Sequence, residues 1–521
     1  MNDGTMQPYA LTLDKLLAHA AKWHPRTEVV TAGPGRNTRI GYAGLDARAR
    51  RLSGALARMG VRQGSRAATL AWNSQAHLEA WFAIMGMGAV CHTLNPRLTA
   101  DQTAAMLRQS GADIMIVSAD LVPLAREIAG RCPLRRILSI DGKADDGTAE
   151  PLEGLIDAAQ PDIAWGLFDE TAACGLCFTS GTTGQPKGVT YTHRSTYLHT
   201  LRLLQADVMG MTASDVVMPV VPMFHASAWG MPFAAPAVGA KLVLPGRQTD
   251  GASLARLIAE EGVTLASAVP TVWLGLVEHL EATGGAVPSL RRVVVGGSPM
   301  PPSLMERIET RLGVVVQTSW GMTELSPLGT IAPLHLERRD AGISGRPALG
   351  IDLLLTDAAG RALPEQRGEE GHLRVRGASV VERYLGHRDA ATDADGWFDT
   401  GDLARIDQDG NLVITGRSKD LIKSGGEWIN PAQIEAIVGA LSQVSLAAVI
   451  GRTDPKWGER PILLVELRRD HEISDAEILS ALDGQVASWW IPDAVVRLSE
   501  MPTAATGKVD KLQLRSRYGQ S

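Results

Sequence analysis

Between Thr179 and Gly188 the chain reads Thr-Ser-Gly-Thr-Thr-Gly-Gln-Pro-Lys-Gly, bringing three glycines, four hydroxyls and one lysine into a single short segment. Glycine lets backbone amides approach phosphate oxygens, hydroxyls donate hydrogen bonds, and Lys187 adds positive charge, so phosphate binding is the chemistry these types would do. A Walker A loop has similar spacing but needs Gly before the lysine and Ser or Thr after it. Pro186 and Gly188 hold those places, which excludes a standard P-loop. Taken alone, the segment also fits a surface turn rich in glycine and serine. Just upstream, Cys174 and Cys177 form a CxxC within the apolar run 172–178. That run reads as a strand, where residues three apart face opposite sides, and no second Cys/His pair follows at zinc-like spacing. Two buried structural thiols are expected there, not a metal or redox centre.

Such residues need strands that deliver them to one place. Two helical patterns from Leu11 to Met59, joined by a short polar connection, lead to a strand at Ala67–Ala71 and a helix ending near Met87. Short strands recur at Ile114–Val117, Ile137–Ile140, Val263–Ala268, Arg292–Val295 and Val314–Gln317, with amphipathic helices such as Ser303–Leu312 among them. This alternation predicts an α/β fold with largely parallel sheets. From Ile351 to Arg376, strands separated by glycine turns predict a small β-rich subdomain. Beyond Gly416-Arg-Ser-Lys-Asp420 the rhythm changes again. Helices at Pro431–Leu441 and Ser474–Leu482, with strands at Ser445–Ile450 and Ile462–Leu467, predict a small α+β domain on a short hinge. The expected division is therefore 1–417, a large multi-subdomain N-terminal domain, and 418–521, a small C-terminal domain.

With 521 residues the chain is too long for one small core, and 45% hydrophobic with 21% charged residues is the balance of a soluble globular protein. A net charge of -6 argues against the basic footprint that nucleic acid would need. Four cysteines are too few for a disulfide framework, which points to a reducing compartment and the cytoplasm. Residues 1–16 carry no secretory signal pattern. The uncharged stretch Val216–Ala240 contains Pro219, Pro222, Pro232 and Pro236, which argue against a membrane-spanning helix. It reads as buried strands and loops around a pocket. His225 and Trp229 lie in it, and each taken alone reads as an ordinary core residue.

The 179–188 string resembles the signature of the adenylate-forming superfamily of acyl-CoA synthetases, luciferases and peptide-synthetase adenylation domains. Seven further motifs follow in that superfamily's order: Pro222-Met-Phe-His-Ala-Ser-Ala-Trp229, Gly296-Gly-Ser-Pro299, Trp320-Gly-Met-Thr-Glu324, Gly396-Trp-Phe-Asp-Thr-Gly-Asp402, Gly416-Arg-Ser-Lys-Asp420, Lys423-Ser-Gly-Gly426 and Thr506-Gly-Lys508. The likeness spans nearly the whole chain. Pro222–Trp229, with Pro270-Thr-Val-Trp273 and Gly425-Gly-Glu-Trp428, is most similar to the medium- and long-chain fatty acyl-CoA synthetase branch.

The resemblance implies an ATP-dependent carboxylic acid:CoA ligase that forms an acyl-adenylate, releases pyrophosphate and transfers the acyl group to coenzyme A. Thr179, Ser180, Gly181, Thr182, Thr183, Gly184 and Lys187 would then hold the ATP phosphates, with Mg2+ at Thr179 and Glu324. Thr323 would contact the α-phosphate, and Gly297, Thr318, Ser319 and Trp320 would line the adenine. Asp402 would accept the ribose hydroxyls, with Arg417 as a second ribose contact. Lys508 would hold the acid against the α-phosphorus, a contact whose removal costs on the order of a hundredfold to a thousandfold in rate. Lys419 would be the hinge of a mobile C-terminal domain. Lys423, Gly425, Gly426 and Trp428 would meet the adenylate and the thiol path. His225 would lie against the acyl carboxylate, Trp229 would gate an acyl tunnel, and Val269, Pro270, Val295 and Met322 would line it. Without the resemblance, Glu324 is a surface carboxylate, Lys508 a solvated tail lysine, Lys423 a strand-edge lysine and Trp428 a packed indole.

The chain departs from the family at Trp320, where tyrosine is usual, and at Thr318 and Ser319, where Gln and Gly are common in the long-chain branch. These changes bear on chain length more than on reaction type. The expected acid is a medium-chain fatty acid. A short thioether acid such as 3-methylthiopropionate, and an acceptor other than CoA, are the alternatives, with a non-catalytic adenylate- or acyl-binding protein as the rival of another class. Expected partners are the acid, ATP and CoA, with no nucleic acid and no integral membrane segment; a homodimer is left open.

Overall fold

The computed structural model describes residues 4–33, 35–142, 147–179, 186–335, 339–469, 471–503 and 508–520. Its frame is a nine-stranded sheet and a seven-stranded sheet. In the first, Val315–Gly321, Arg292–Val295, Leu265–Ala268, Val216–Pro219, Lys241–Leu244 and Glu28–Thr31 run parallel, and antiparallel strands finish both edges. In the second, the strands from Glu150–Pro151 through Arg136–Ile140, Ile114–Ser118, Arg66–Leu70 and Val90–Thr93 to Ala173–Phe178 are parallel. Only the last pairing, with Gly188–Thr192, is antiparallel. Short Val/Ile-rich strands buried on both faces are what parallel sheets require.

One large core joins the two sheets. Helix Gln75–Gly86 is buried at every residue from His77 to Gly86, as expected of a helix that is apolar all round. Ser74 caps it by accepting the His77 amide. Trp81 stacks on Phe233 at 5.5 Å and Phe82 meets the same ring edge-on at 5.9 Å. Phe233 belongs to helix Met231–Val238, which corrects the expectation of strands and loops alone in Val216–Ala240. Pro232 stands at the start of that helix, where an N–H would have no intrahelical partner, so only Pro236 removes an internal bond. Dense burial of the segment offsets that loss.

A four-stranded antiparallel sheet, Ile351–Thr356, Glu370–Gly377, Phe398–Ile406 and Leu412–Arg417, forms the expected β-rich unit. After it come a second small sheet, containing hairpin strands Ile422–Ser424 and Glu427–Ile429 and long strands Val444–Asp454 and Gly458–Leu467, and helices Pro431–Gly439, Asp475–Ser480 and Lys511–Tyr518. Among the described residues, no helix is long and apolar enough to cross a membrane.

Candidate active site

Asp402 and Arg417 face each other across neighbouring antiparallel strands, so their pairing follows from sheet register. Arg417 Nε lies 2.8 Å from Asp402 Oδ1, and Trp320 Nε1 donates to Asp402 Oδ2 at 2.8 Å. Asp402 is only 2% exposed. Burial pushes its carboxyl above the ordinary value, while Arg417, Trp320, Lys508 and Lys419 pull against that shift. Trp320 is carried by strand Val315–Gly321, together with Thr318 and Ser319. The hydroxyls of Thr318 and Ser319 are tied to the carbonyls of Ile343 and Val295, which leaves their backbone and the indole to shape the wall.

The glycine- and hydroxyl-rich loop leaves strand Ala173–Phe178 and returns as Gly188–Thr192, and the Thr179 amide donates to the Lys187 carbonyl at 2.9 Å to close its neck. Ser180, Gly181, Thr182, Thr183 and Gly184 fall outside the described residues, as does Thr506 of the last motif. Lys187 Nζ lies 4.8 Å above the Tyr384 ring, whose hydroxyl donates to Glu324 Oε1 at 2.9 Å. Burial raises the Glu324 carboxyl; its own backbone amide, Tyr384, Arg417 and Lys187 oppose the rise. The carbonyl of Thr323 accepts the buried Tyr191 hydroxyl at 2.8 Å. Lys187 and Glu324 are thus brought together through Tyr384, which touches both.

His225 stands immediately before a left-handed turn. Ala226, Ser227, Ala228 and Trp229 have φ of 43°, 55°, 48° and 54°. Such residues cost roughly 1–2 kcal/mol each, and they persist only where the surroundings over-determine them. The turn sets the Trp229 indole against Gly296, where a Cβ would stand 3.3 Å from Trp229 Cη2 and 2.6 Å from Ser319 Oγ. Gly297, at φ 83°, has Val269 as its neighbour on the other side. His225 and Val269 line a cavity of about 430 Å3 at the carboxyl ends of strands from both large sheets, together with Trp72, Asn95, Arg97, Phe224, Arg247 and Val272. Burial, Lys508 and Arg97 hold the His225 imidazole at about 4, so it is neutral at pH 7. Trp229, Pro270, Val295 and Met322 do not line this cavity: Pro270 and Val295 are buried in the core, and Trp229 and Met322 pack on its margin.

Lys508 reaches this centre from the end of the chain. Lys508 is exposed to solvent, with enough protein packed near its ammonium to desolvate it in part. Its ammonium is lowered to about 8, first by that crowding and then by Arg417 and Lys419, with Asp402 opposing. Lys419 is itself lowered, by burial and by Arg417 and Arg515 against Asp420 and Asp402. Lys423, Gly425, Gly426 and Trp428 are placed otherwise. Lys423 Nζ sits 5.5 Å over the half-exposed Trp428 ring, the Gly425 amide donates to the Trp457 carbonyl, and the Lys423 amide donates to Glu459. The described polar and ring contacts of this hairpin are with Glu459, Arg460 and Trp457 of the same small domain and within the hairpin itself, and none of them involves Lys508, Asp402 or Arg417.

Tyr384, Tyr191, Trp72 and Arg97 were not legible as site residues. Each stands in a segment without a spacing signal and arrives by tertiary contact. The only hint was scarcity: the chain has six tyrosines. Cys174 and Cys177 are buried free thiols pushed upward by burial, as expected for structural cysteines.

Comparison with known proteins agrees with this geometry. The family described as AMP-binding enzyme matches residues 17–385, and the one described as AMP-binding enzyme C-terminal domain matches 433–508. A 3-methylmercaptopropionyl-CoA ligase of Ruegeria lacuscaerulensis is 40% identical over 99% of this chain and 98% of its own. A medium-chain-fatty-acid–CoA ligase of Ectopseudomonas oleovorans is 41% identical, covering 99% and 97%. Among solved structures, an anthranilate CoA ligase in complex with anthranoyl-AMP has TM-score 0.88 at 25% identity and covers 98% of both chains. ATP-bound MatB from Rhodopseudomonas palustris has TM-score 0.85 at 27% identity, covering 98% of this chain and 99% of that one.

Proposed function

This chain belongs to the AMP-binding enzyme family and is an AMP-forming acid–CoA ligase; we propose that its acid is a medium-chain fatty acid. The observation that carries the assignment of roles is the convergence of Lys508 on buried Asp402 and Trp320 and partly exposed Arg417, with His225 within its electrostatic reach. Asp402 accepts the ribose hydroxyls on lone pairs that Trp320 and Arg417 leave free, since each carboxylate oxygen accepts more than one bond. Gly297, Thr318, Ser319 and Trp320 enclose the adenine, and the loop 179–187 cradles the phosphates. Lys508 draws the acid's carboxylate against the α-phosphorus, offsetting its repulsion by the triphosphate. A carboxylate oxygen then bonds to that phosphorus, the bond to the bridging oxygen breaks, and pyrophosphate leaves. The Thr323 hydroxyl donates to the α-phosphate as charge builds, and neutral His225 offers a hydrogen bond at the acyl carboxylate.

Glu324 and Thr179 supply hard oxygen donors, and the described residues contain no cluster of three or more His, Cys, Asp or Glu that could cage a metal. That donor set fits Mg2+ held mainly by phosphates and water, and bound there it would neutralise phosphate charge. For the second half-reaction the small domain, 418–521, turns about Lys419 against the large one, 1–417. Lys508 withdraws and Lys423, Gly425, Gly426 and Trp428 come to the adenylate. The CoA thiolate attacks the acyl carbonyl, and the bond to AMP breaks. We place the enzyme in the cytoplasm, consistent with four buried free cysteines.

Apolar Val269 and Phe224 beside His225 favour an alkyl chain over a polar acid. A short thioether acid is the second reading, favoured by the relative that acts as a 3-methylmercaptopropionyl-CoA ligase at similar identity. Pyrophosphate release measured across straight-chain acids and 3-methylthiopropionate, with and without CoA, decides between them. Highest kcat/KM on medium-chain acids is expected. A maximum on the thioether acid would replace the first reading with the second, and thioester formation on a carrier protein but not CoA would refute both.

A further inference from the structure

Helix Lys511–Tyr518 begins three residues beyond Lys508, so whatever holds the helix also places that amine. Leu514 anchors one face, fully buried among Ala448, Ile450, Ile462, Leu464 and Met501. Two charged residues four apart lie on another face. Lys511 Nζ meets Glu435 Oε1 at 2.7 Å, and Glu435 also accepts the Val449 amide. One turn later, Arg515 Nη2 reaches Asp420 Oδ1 at 2.8 Å, with the two side chains 33% and 18% exposed. Asp420 is the residue next to Lys419, the proposed pivot. At the far end of the helix, the Gly519 carbonyl accepts the Thr453 amide. Ahead of the helix the Asp510 amide donates to the Pro502 carbonyl at 2.8 Å, and Thr503 bridges to Val509. Lys508 therefore directly precedes a paired stretch, Val509 and Asp510 against Thr503 and Pro502, that leads into a helix braced against the segment leaving the pivot. All of these partners lie beyond the pivot, so the brace would travel with Lys508.

We propose that Arg515 and Asp420 are positioning residues whose ion pair sets the reach of Lys508 into the adenylation site. The inference rests on the reading that Lys508 serves adenylation. A half-buried ion pair adds little to global stability, so its loss should appear in placement before it appears in melting. Placement matters steeply, because a displacement of about 1 Å at a reacting group costs on the order of a hundredfold.

The test compares Arg515→Ala, Asp420→Ala, Arg515→Lys and the charge-swapped Asp420→Arg/Arg515→Asp in the full chain. Acid-dependent ATP–pyrophosphate exchange reads adenylation, transfer from supplied acyl-AMP to CoA reads the second step, and thermal melting reports the fold. For the alanine variants the expected result is about a tenfold fall in exchange kcat, KM for ATP within about twofold of wild type, and transfer also within about twofold. Arg515→Lys and the swap should regain most of the exchange. Equal losses in both half-reactions, or a folded swap and a folded Arg515→Lys that recover nothing, would overturn the proposal. Lys508→Ala run alongside separates the two levels: if it keeps adenylation, the underlying role of Lys508 fails, whatever Arg515 does.

Discussion

Replacing Trp320 by phenylalanine removes one donor from the buried carboxylate of Asp402 and leaves a ring in place. The lost contact is the 2.8 Å bond from Nε1 to Oδ2, made to a charged acceptor that is 2% exposed. Hydrogen bonds to charged groups are worth roughly 1.5–3 kcal/mol, or about a 10- to 150-fold change in an equilibrium constant. Arg417 still holds the other oxygen at 2.8 Å, so the carboxylate stays oriented on one side and the low end of that range applies. The expected outcome is a rise of about tenfold in KM for ATP with kcat changed less than about threefold, because ribose binding is shared by ground and transition states. The pH dependence should move as well. Asp402 already sits above the ordinary carboxyl value through burial, and removing a donor to its charged form raises it further. The acid limb of kcat/KM for ATP therefore shifts to higher pH. By linkage, the native state binds this proton more tightly than the unfolded one, so the group's contribution to stability falls as pH rises between the two values. Steady-state kinetics over a pH series, with melting curves to verify the fold, provide the assay. A KM for ATP within twofold of wild type, or a fall in kcat that tracks a lowered Tm, would refute the reasoning and reduce Trp320 to packing.

Lys508→Ala should lose acyl-adenylate formation, by roughly a hundredfold or more, while still converting supplied acyl-AMP and CoA to thioester; equal losses in both steps would contradict the division of labour. In the unmodified enzyme, kcat/KM for ATP–pyrophosphate exchange should decline as pH rises through about 8, where the lowered Lys508 ammonium loses its charge. Transfer from acyl-AMP should lack that limb, and a shared limb would trace it to another group. If Trp229 gates the acyl path as proposed, Trp229→Ala should change chain-length preference, since the indole lies against Gly296; a uniform fall across all acids would indicate the cavity cost of any large truncation. Lys419→Pro fixes φ at the pivot and should leave a folded enzyme with one half-reaction only, so wild-type rates in both would show that rotation there is not needed.

Local composition determined a good deal. The 179–188 string has its chemistry within ten neighbouring residues, so the expectation of a phosphate loop could be drawn before any fold was known. Alternating Val/Ile runs and helices announced parallel sheets, because side-chain period and burial are properties of the nearby chain. The turn to antiparallel strands after Ile351 and the new rhythm after Gly416 were visible for the same reason. The expectation for Val216–Ala240 was too simple, since a proline at the second helical position costs no internal bond and a helix forms there.

Tertiary structure alone decided which of the candidate residues act together. Asp402 meets Trp320 across 82 positions and Tyr384 meets Glu324 across 60, separations over which no spacing rule operates. The departure from tyrosine at Trp320 looked like a change beside the adenine, and only the fold turned it into a donor for the Asp402 carboxylate. Lys508 read as a tail lysine until packing of the small domain brought it beside Asp402, Arg417 and His225 and lowered its ammonium. Residue types thus carried the chemistry that was possible. Burial and proximity, which depend on how distant segments pack, determined which charges are held, which are shifted, and where they meet.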